Sequence, residues 1–223
     1  MKLTRIFALI LCLMLGVSGV FGAQLNDKRL TLLDKKERLV GFEDKIVVLF
    51  SVFCSHCYAH FKQGSWELIA GIDPRVKVEQ WQMLQAVEGG DDYAMWAYAR
   101  KLDEARGMDM FKTNSAQYKL AVAHFGAIFE QGVREPQTFY NIGLKTLQEA
   151  SRLPFLTIEE VRRSAAEDAK SAEYIARIKK TLSIVEKTGT PAVIVGGKWL
   201  VNFEHLKGEA DLVEAVTLAL KNR

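Results

Sequence analysis

The chain has 223 residues, 49% of them hydrophobic, and a formal net charge of +3. That is enough for one substantial core, or for a small fold carrying a large insertion. The basic residues are dispersed among acids along apparent helices, as on a solvated surface, which argues against a nucleic-acid binder.

Lys2 and Arg5 precede an apolar run from Ile6 to about Val17, and small residues follow through Ala23. A basic end, a short greasy segment and a small-residue zone predict a secretory signal peptide over residues 1–23, cut after Gly22 or Ala23. The competing reading is an uncleaved anchor, but a spanning helix needs roughly 20 apolar residues. Leu11 before Cys12 is not the small residue of a lipidation site. Loss of Cys12 with the signal leaves Cys54 and Cys57. A disulfide closing so short a loop constrains the unfolded chain little, so the pair reads as chemical rather than structural.

Residues 24–43 read as a polar lead-in. The apolar run Lys45–Phe53 then predicts a buried strand ending at the first cysteine of the pair. From Cys57 to about Ile72 the pattern is helical, and Asp73-Pro74 breaks it. Val76–Met83 alternates as a second strand. Residues from about Asp91 to Lys187 predict helices over Asp91–Arg106, Ser115–Gln131, Glu135–Ser151, Thr157–Ala169 and Ser171–Lys187. Thr157 and Glu160 form a capping-box pattern. The aromatic residues Trp96, Phe125, Phe129 and Phe139 read as bundle core. Pro191–Val195 and Lys198–Val201 flank Gly196-Gly197 as a β-hairpin, and Gly208–Leu220 closes the chain as a helix with Leu212, Val216 and Ala219 inward. The order predicts an α/β fold: a mixed sheet flanked by helices, with the helical block as an insertion.

The chemistry concentrates at Cys54-Ser55-His56-Cys57. A disulfide-exchange catalyst needs one thiol held as thiolate and a second close enough to resolve the mixed disulfide. Two intervening residues supply both when the pair straddles a helix start, where free N–H groups favour the thiolate of Cys54. The reading assigns Cys54 as nucleophile, Cys57 as resolving thiol and His56 as modulator of the Cys54 pKa. Small Ser55 leaves the sulfur open to substrate. A zinc site would need two further ligands, with only His60, His124 and His205 remaining, and covalent haem would need His where Tyr58 stands. No metal or cofactor is expected. Gly189-Thr190-Pro191 opens the hairpin; Pro191 is either an ordinary turn proline or a cis-proline beside the disulfide that leaves the backbone before it free for an extended substrate.

The stretches VLFSVFCSHCYAHF and GTPAVIVGGKWLV, with the helical block between them, resemble the DsbA family of periplasmic oxidoreductases. The resemblance implies a thioredoxin fold split by an all-helical insertion: residues 24–90 and 188–223 form the thioredoxin-like domain and 91–187 the insertion. It further implies a cis Thr190–Pro191 bond, a periplasmic location, disulfide donation to newly exported cysteine-containing proteins, and reoxidation by a DsbB-like membrane oxidase. Three departures stand out. Ser55 replaces the proline of the best-known members. Thr190 is a choice associated with isomerases and reductases, whose hydroxyl can bond a sulfur. Val48 occupies the position six residues before Cys54 where related enzymes often bury a carboxylate. Alternatives are therefore a reductase or isomerase kept reduced by a membrane electron donor, and a redox-independent chaperone. The short lead-in leaves no room for a dimerisation domain, so a monomer is expected.

Overall fold

The computed structural model describes residues 26–83 and 90–223; the expected signal peptide, residues 1–23, lies outside them. Among the described residues the sheet has five strands: β1 (Leu30–Leu32), β2 (Lys45–Phe50), β3 (Lys77–Gln82), β4 (Ala192–Val195) and β5 (Trp199–Val201), in the order β1-β5-β4-β2-β3. β2 pairs parallel with β3 and antiparallel with β4, the remaining pairs being antiparallel. The sheet is thus mixed, as expected.

β2 reads as a continuous apolar run because both its faces are covered. Ile46 and Val48 pack with Trp66 and Ile69 of α2 (Ser65–Ala70) and with Leu212 and Val216 of the last helix, α8 (Glu209–Lys221). Val47 and Leu49 face Ile178 and Ile184 of α7 (Ala169–Thr188) and the loop residues Leu33 and Leu39. The predicted strand is shorter than expected: it stops at Phe50, and Ser51–Phe53 turn the chain into α1 (Ser55–Gln63). The single helix expected to reach Ile72 breaks at Gly64, which is left-handed at φ 71° and separates α1 from α2.

The lead-in reading of residues 24–43 is corrected at β1, which pairs Leu30, Thr31 and Leu32 with Val201, Leu200 and Trp199. Three residues are too few to show an alternation, and the strand is defined by its partner. The hairpin turns at Gly196-Gly197, both at positive φ, with Lys198 N–H donating to the Val195 carbonyl.

The insertion contains α3 (Asp91–Ala105), α4 (Ala116–Phe125), α5 (Pro136–Ser151) and α6 (Ile158–Ala166) before α7. The capping box forms as read, with Thr157 and Glu160 satisfying each other's N–H groups. The helix expected over Ser115–Gln131 is α-helical only to Phe125; Gly126–Glu130 is a π-helical turn. Trp96, Phe125 and Phe139 are buried and Phe129 half-buried. Phe50, Val52 and Cys57 belong to this same helical core, which ties the insertion to the redox pair.

Candidate redox site

β2 delivers the chain to the pair, and Cys54 becomes the N-cap of α1. Its Sγ accepts the Cys57 N–H at 3.4 Å, and the thiol donates to the Thr190 carbonyl at 3.0 Å. Both cysteines are free thiols, Cys54 half-buried and Cys57 fully buried. Cys54 titrates at about 5. The Cys57 thiol donating to its sulfur is the chief cause, joined by the Thr190 side chain and the N–H groups of Cys57 and His56, against the opposing effect of burial. Cys57 is pushed far up, first by burial and then because Cys54 accepts its proton. The two thiols are thus driven apart, Cys54 toward its anion and Cys57 toward keeping its proton.

Thr190 and Pro191, distant in sequence, meet the pair in space through a cis peptide bond that opens β4. Ser55 is exposed in the first turn of α1. His56 is exposed as well, and its backbone N–H is among the groups that lower the Cys54 pKa. Val48 lies in the apolar cluster with Trp66 and Val216 and pairs in register with Gln80, so the position six residues before Cys54 is an apolar one packed in the core.

Three surrounding features were not read from the sequence. Phe53, 47% exposed beside Cys54, packs on Phe139 with centroids 5.3 Å apart. Tyr58 of α1 stacks on Phe129 of the π turn at 4.9 Å and donates to Glu130 at 2.6 Å, while Lys62 pairs with Glu130 at 3.1 Å. His60 meets Ser65 at 2.9 Å and Glu209 at 3.2 Å, joining α1 to α8. Each joins distant segments; the only local signal was the aromatic content flanking the pair.

A mixed sheet that carries a vicinal cysteine pair to a helix start, sets a cis-proline strand beside it and admits a helical insertion is the thioredoxin fold in its interrupted form. Solved structures of DsbA-type proteins share it. DsbL of Salmonella enterica serovar Typhimurium superposes with a TM-score of 0.68 at 20% identity, covering 86% of this chain and 94% of that one. A reduced DsbL gives 0.70 at 18% identity over 86% and 97%. A cysteine-to-serine variant of Proteus mirabilis DsbA, with the peptide PWATCDS bound non-covalently, gives 0.57 at 17% identity over 87% and 94%. No protein-family model and no curated protein sequence matches the chain.

Proposed function

We propose that this chain is a thiol:disulfide oxidoreductase that donates the Cys54–Cys57 disulfide to exported proteins. The split between the two thiols carries this reading: Cys54 held low at about 5, Cys57 held high. In the forward reaction a substrate thiolate attacks the Cys54 sulfur of the oxidised protein, forming a mixed disulfide and releasing Cys57, which takes up a proton. A second substrate thiolate attacks the substrate sulfur of that bond and expels the Cys54 thiolate. The substrate gains a disulfide and this chain is left as the dithiol. A stabilised Cys54 thiolate is a good leaving group and favours the reduced product, which makes the disulfide a strong oxidant.

Thr190 and Pro191, beside the Cys54 sulfur, would bind the substrate backbone; the Proteus mirabilis variant of similar fold holds a cysteine-containing peptide. His56 would add positive charge near the thiolate when protonated. The setting would be periplasmic, with the signal peptide removed, a monomer as the working unit and a DsbB-like membrane oxidase restoring the disulfide.

The second reading, a reductase or isomerase fed by a membrane electron donor, is favoured by the Thr190 side chain at the Cys54 sulfur. Equilibration with glutathione, read by thiol trapping, separates the two. A potential towards about −120 mV supports donation, and one near about −270 mV supports electron delivery. Oxidative folding that survives Cys54→Ala would overturn both and leave a chaperone.

A further inference from the structure

The cis Thr190–Pro191 bond borders a cavity of about 400 Å³, within the range of roughly 300–1,000 Å³ usual for ligand pockets. Pro191 lines it, and the Thr190 carbonyl, one residue earlier, accepts the Cys54 thiol at 3.0 Å. The cavity therefore opens one residue from the contact that holds the reactive sulfur. Its floor belongs to the sheet face covered by α7, where Leu33, Ile184, Ala192 and Leu200 are buried together. β5 runs antiparallel to β4 with Leu200 opposite Ile194, which brings Asn202 level with Ala192 and sets Phe203 and Glu204 at the Pro191 end. β1 runs back along β5, Leu32 opposite Trp199, so Asp34 and Glu37 follow at the far end.

Four charged side chains line this cavity, and they are unequal in sign: Asp34, Glu37 and Glu204 against Lys187. Lys187 pairs with Glu37 at 2.6 Å, and the buried Glu37 also accepts the Ser183 hydroxyl. Asp34 acts on that lysine only at longer range. Asp34 and Glu204 are exposed, and neither carboxylate has a hydrogen-bonded or ion-paired partner among the described residues. An apolar floor with an uncompensated carboxylate at either end suits a side chain that is apolar along its stem and positive at its tip.

We propose that this cavity is a substrate subsite that takes an arginine or lysine side chain from close to the substrate's reacting cysteine. The occupant is the polypeptide joined to Cys54, so the inference rests on the redox reading and names the substrates that reading would favour. An extended chain advances roughly 3.3 Å per residue, so the cation comes from one of about three residues flanking that cysteine. Its stem lies on Ala192 and Leu200, and its charge meets Glu204 beside Pro191 or reaches on to Asp34. The Thr190 carbonyl and Pro191 hold the backbone while the cavity selects the side chain.

The test is the rate at which end-blocked peptides with a single cysteine reduce the oxidised protein, read by acid quench and thiol trapping. Each position flanking the cysteine carries in turn arginine, its neutral isostere citrulline, norleucine or glutamate. Every rate is divided by that of 2-mercaptoethanol with the same protein, which has no side chain to place and so cancels any change at the redox centre itself. At one flanking position arginine is expected to react at least threefold faster than citrulline and norleucine, with glutamate slowest. Asp34→Asn combined with Glu204→Gln should bring the arginine-to-citrulline ratio down to the ratio the same peptides show toward oxidised 2-mercaptoethanol. Added salt should shrink it in the native protein, a second measurement that needs no variant. No preference for arginine at any position, norleucine as fast as arginine, or a preference indifferent to the double variant and to salt overturns the subsite. A centre that is reduced by neither the peptides nor 2-mercaptoethanol refutes the redox reading instead, and the subsite falls with it.

Discussion

At the start of α1 a half-buried sulfur meets the Cys57 thiol, the Thr190 side chain and two backbone N–H groups; between α3, α4 and α5, Asp92 Oδ1 and both ring nitrogens of His124 lie buried with no hydrogen-bond partner. Burial acts on all three groups, yet only Cys54 is drawn toward its charged form. Asp92 rises to about 6, chiefly through burial, with Gln82 and Trp96 approaching outside hydrogen-bond geometry and offsetting only part of it. His124, stacked on Phe139 at 4.0 Å, falls to about 3 through burial alone. Donors aimed at an atom, not depth in the core, decide which protonation state survives.

The largest test removes the foremost donor. Cys57→Ala is expected to raise the Cys54 pKa from about 5 well toward the ordinary thiol value, read from the ultraviolet absorbance of the thiolate against pH. The same variant should accumulate mixed disulfides, having lost its resolving thiol. A midpoint still at about 5 would shift the weight to the backbone N–H groups and the helix start.

In the helical core the contrast becomes a pH dependence of stability. Asp92 has a folded pKa above its unfolded value, so between about 4 and 6 the native state keeps a proton the unfolded chain has released, and stability falls as pH rises. His124 has a depressed pKa, so stability falls as pH drops from about 6.5 to 3. From about 4 to 6 the two slopes oppose and nearly cancel. Asp92→Asn leaves His124 acting alone, so the unfolding free energy should climb by ~1.4 kcal/mol per pH unit across that window relative to the parent. At neutral pH the variant should be the more stable, by up to roughly 3 kcal/mol on the same basis. Urea titrations over pH check this, and parallel curves for the two proteins would refute it.

The packing around these groups is equally specific. A Cβ on Gly143 would lie 2.6 Å from His124 Nε2 and 2.6 Å from Met95 Sδ. Gly143→Ala is expected to cost about 1–3 kcal/mol by overpacking, seen as a lower thermal midpoint. An unchanged midpoint would mean that His124 and Met95 move aside freely.

What could be read from the sequence was what short segments decide among themselves. The apolar run of β2, the cysteine spacing, the capping box at Thr157 and the inward positions Leu212, Val216 and Ala219 all depend on near neighbours. β1 was missed because its identity comes from β5, some 170 residues away. The π turn was missed because its register serves Tyr58, on another helix. At the site, the pair and its helix start were legible, but the ranking of donors was not. The buried Cys57 thiol leads the groups that lower the Cys54 pKa, ahead of the Thr190 side chain, an order set by depth and direction rather than residue type.

The smallest expected effect tests that ranking at its second member. Thr190→Val removes the hydroxyl and keeps nearly the same shape, while the Thr190–Pro191 backbone, including the carbonyl that meets the Cys54 thiol, can stay in place. The Cys57 donor and the two N–H groups remain, so the Cys54 pKa should rise by less than in Cys57→Ala. Alkylation rates by iodoacetamide against pH measure both variants on one scale. A rise equal to that of Cys57→Ala would reverse the order of the donors. No rise would remove the hydroxyl from the sulfur altogether, and with it the observation that favours a reductase or isomerase over a disulfide donor.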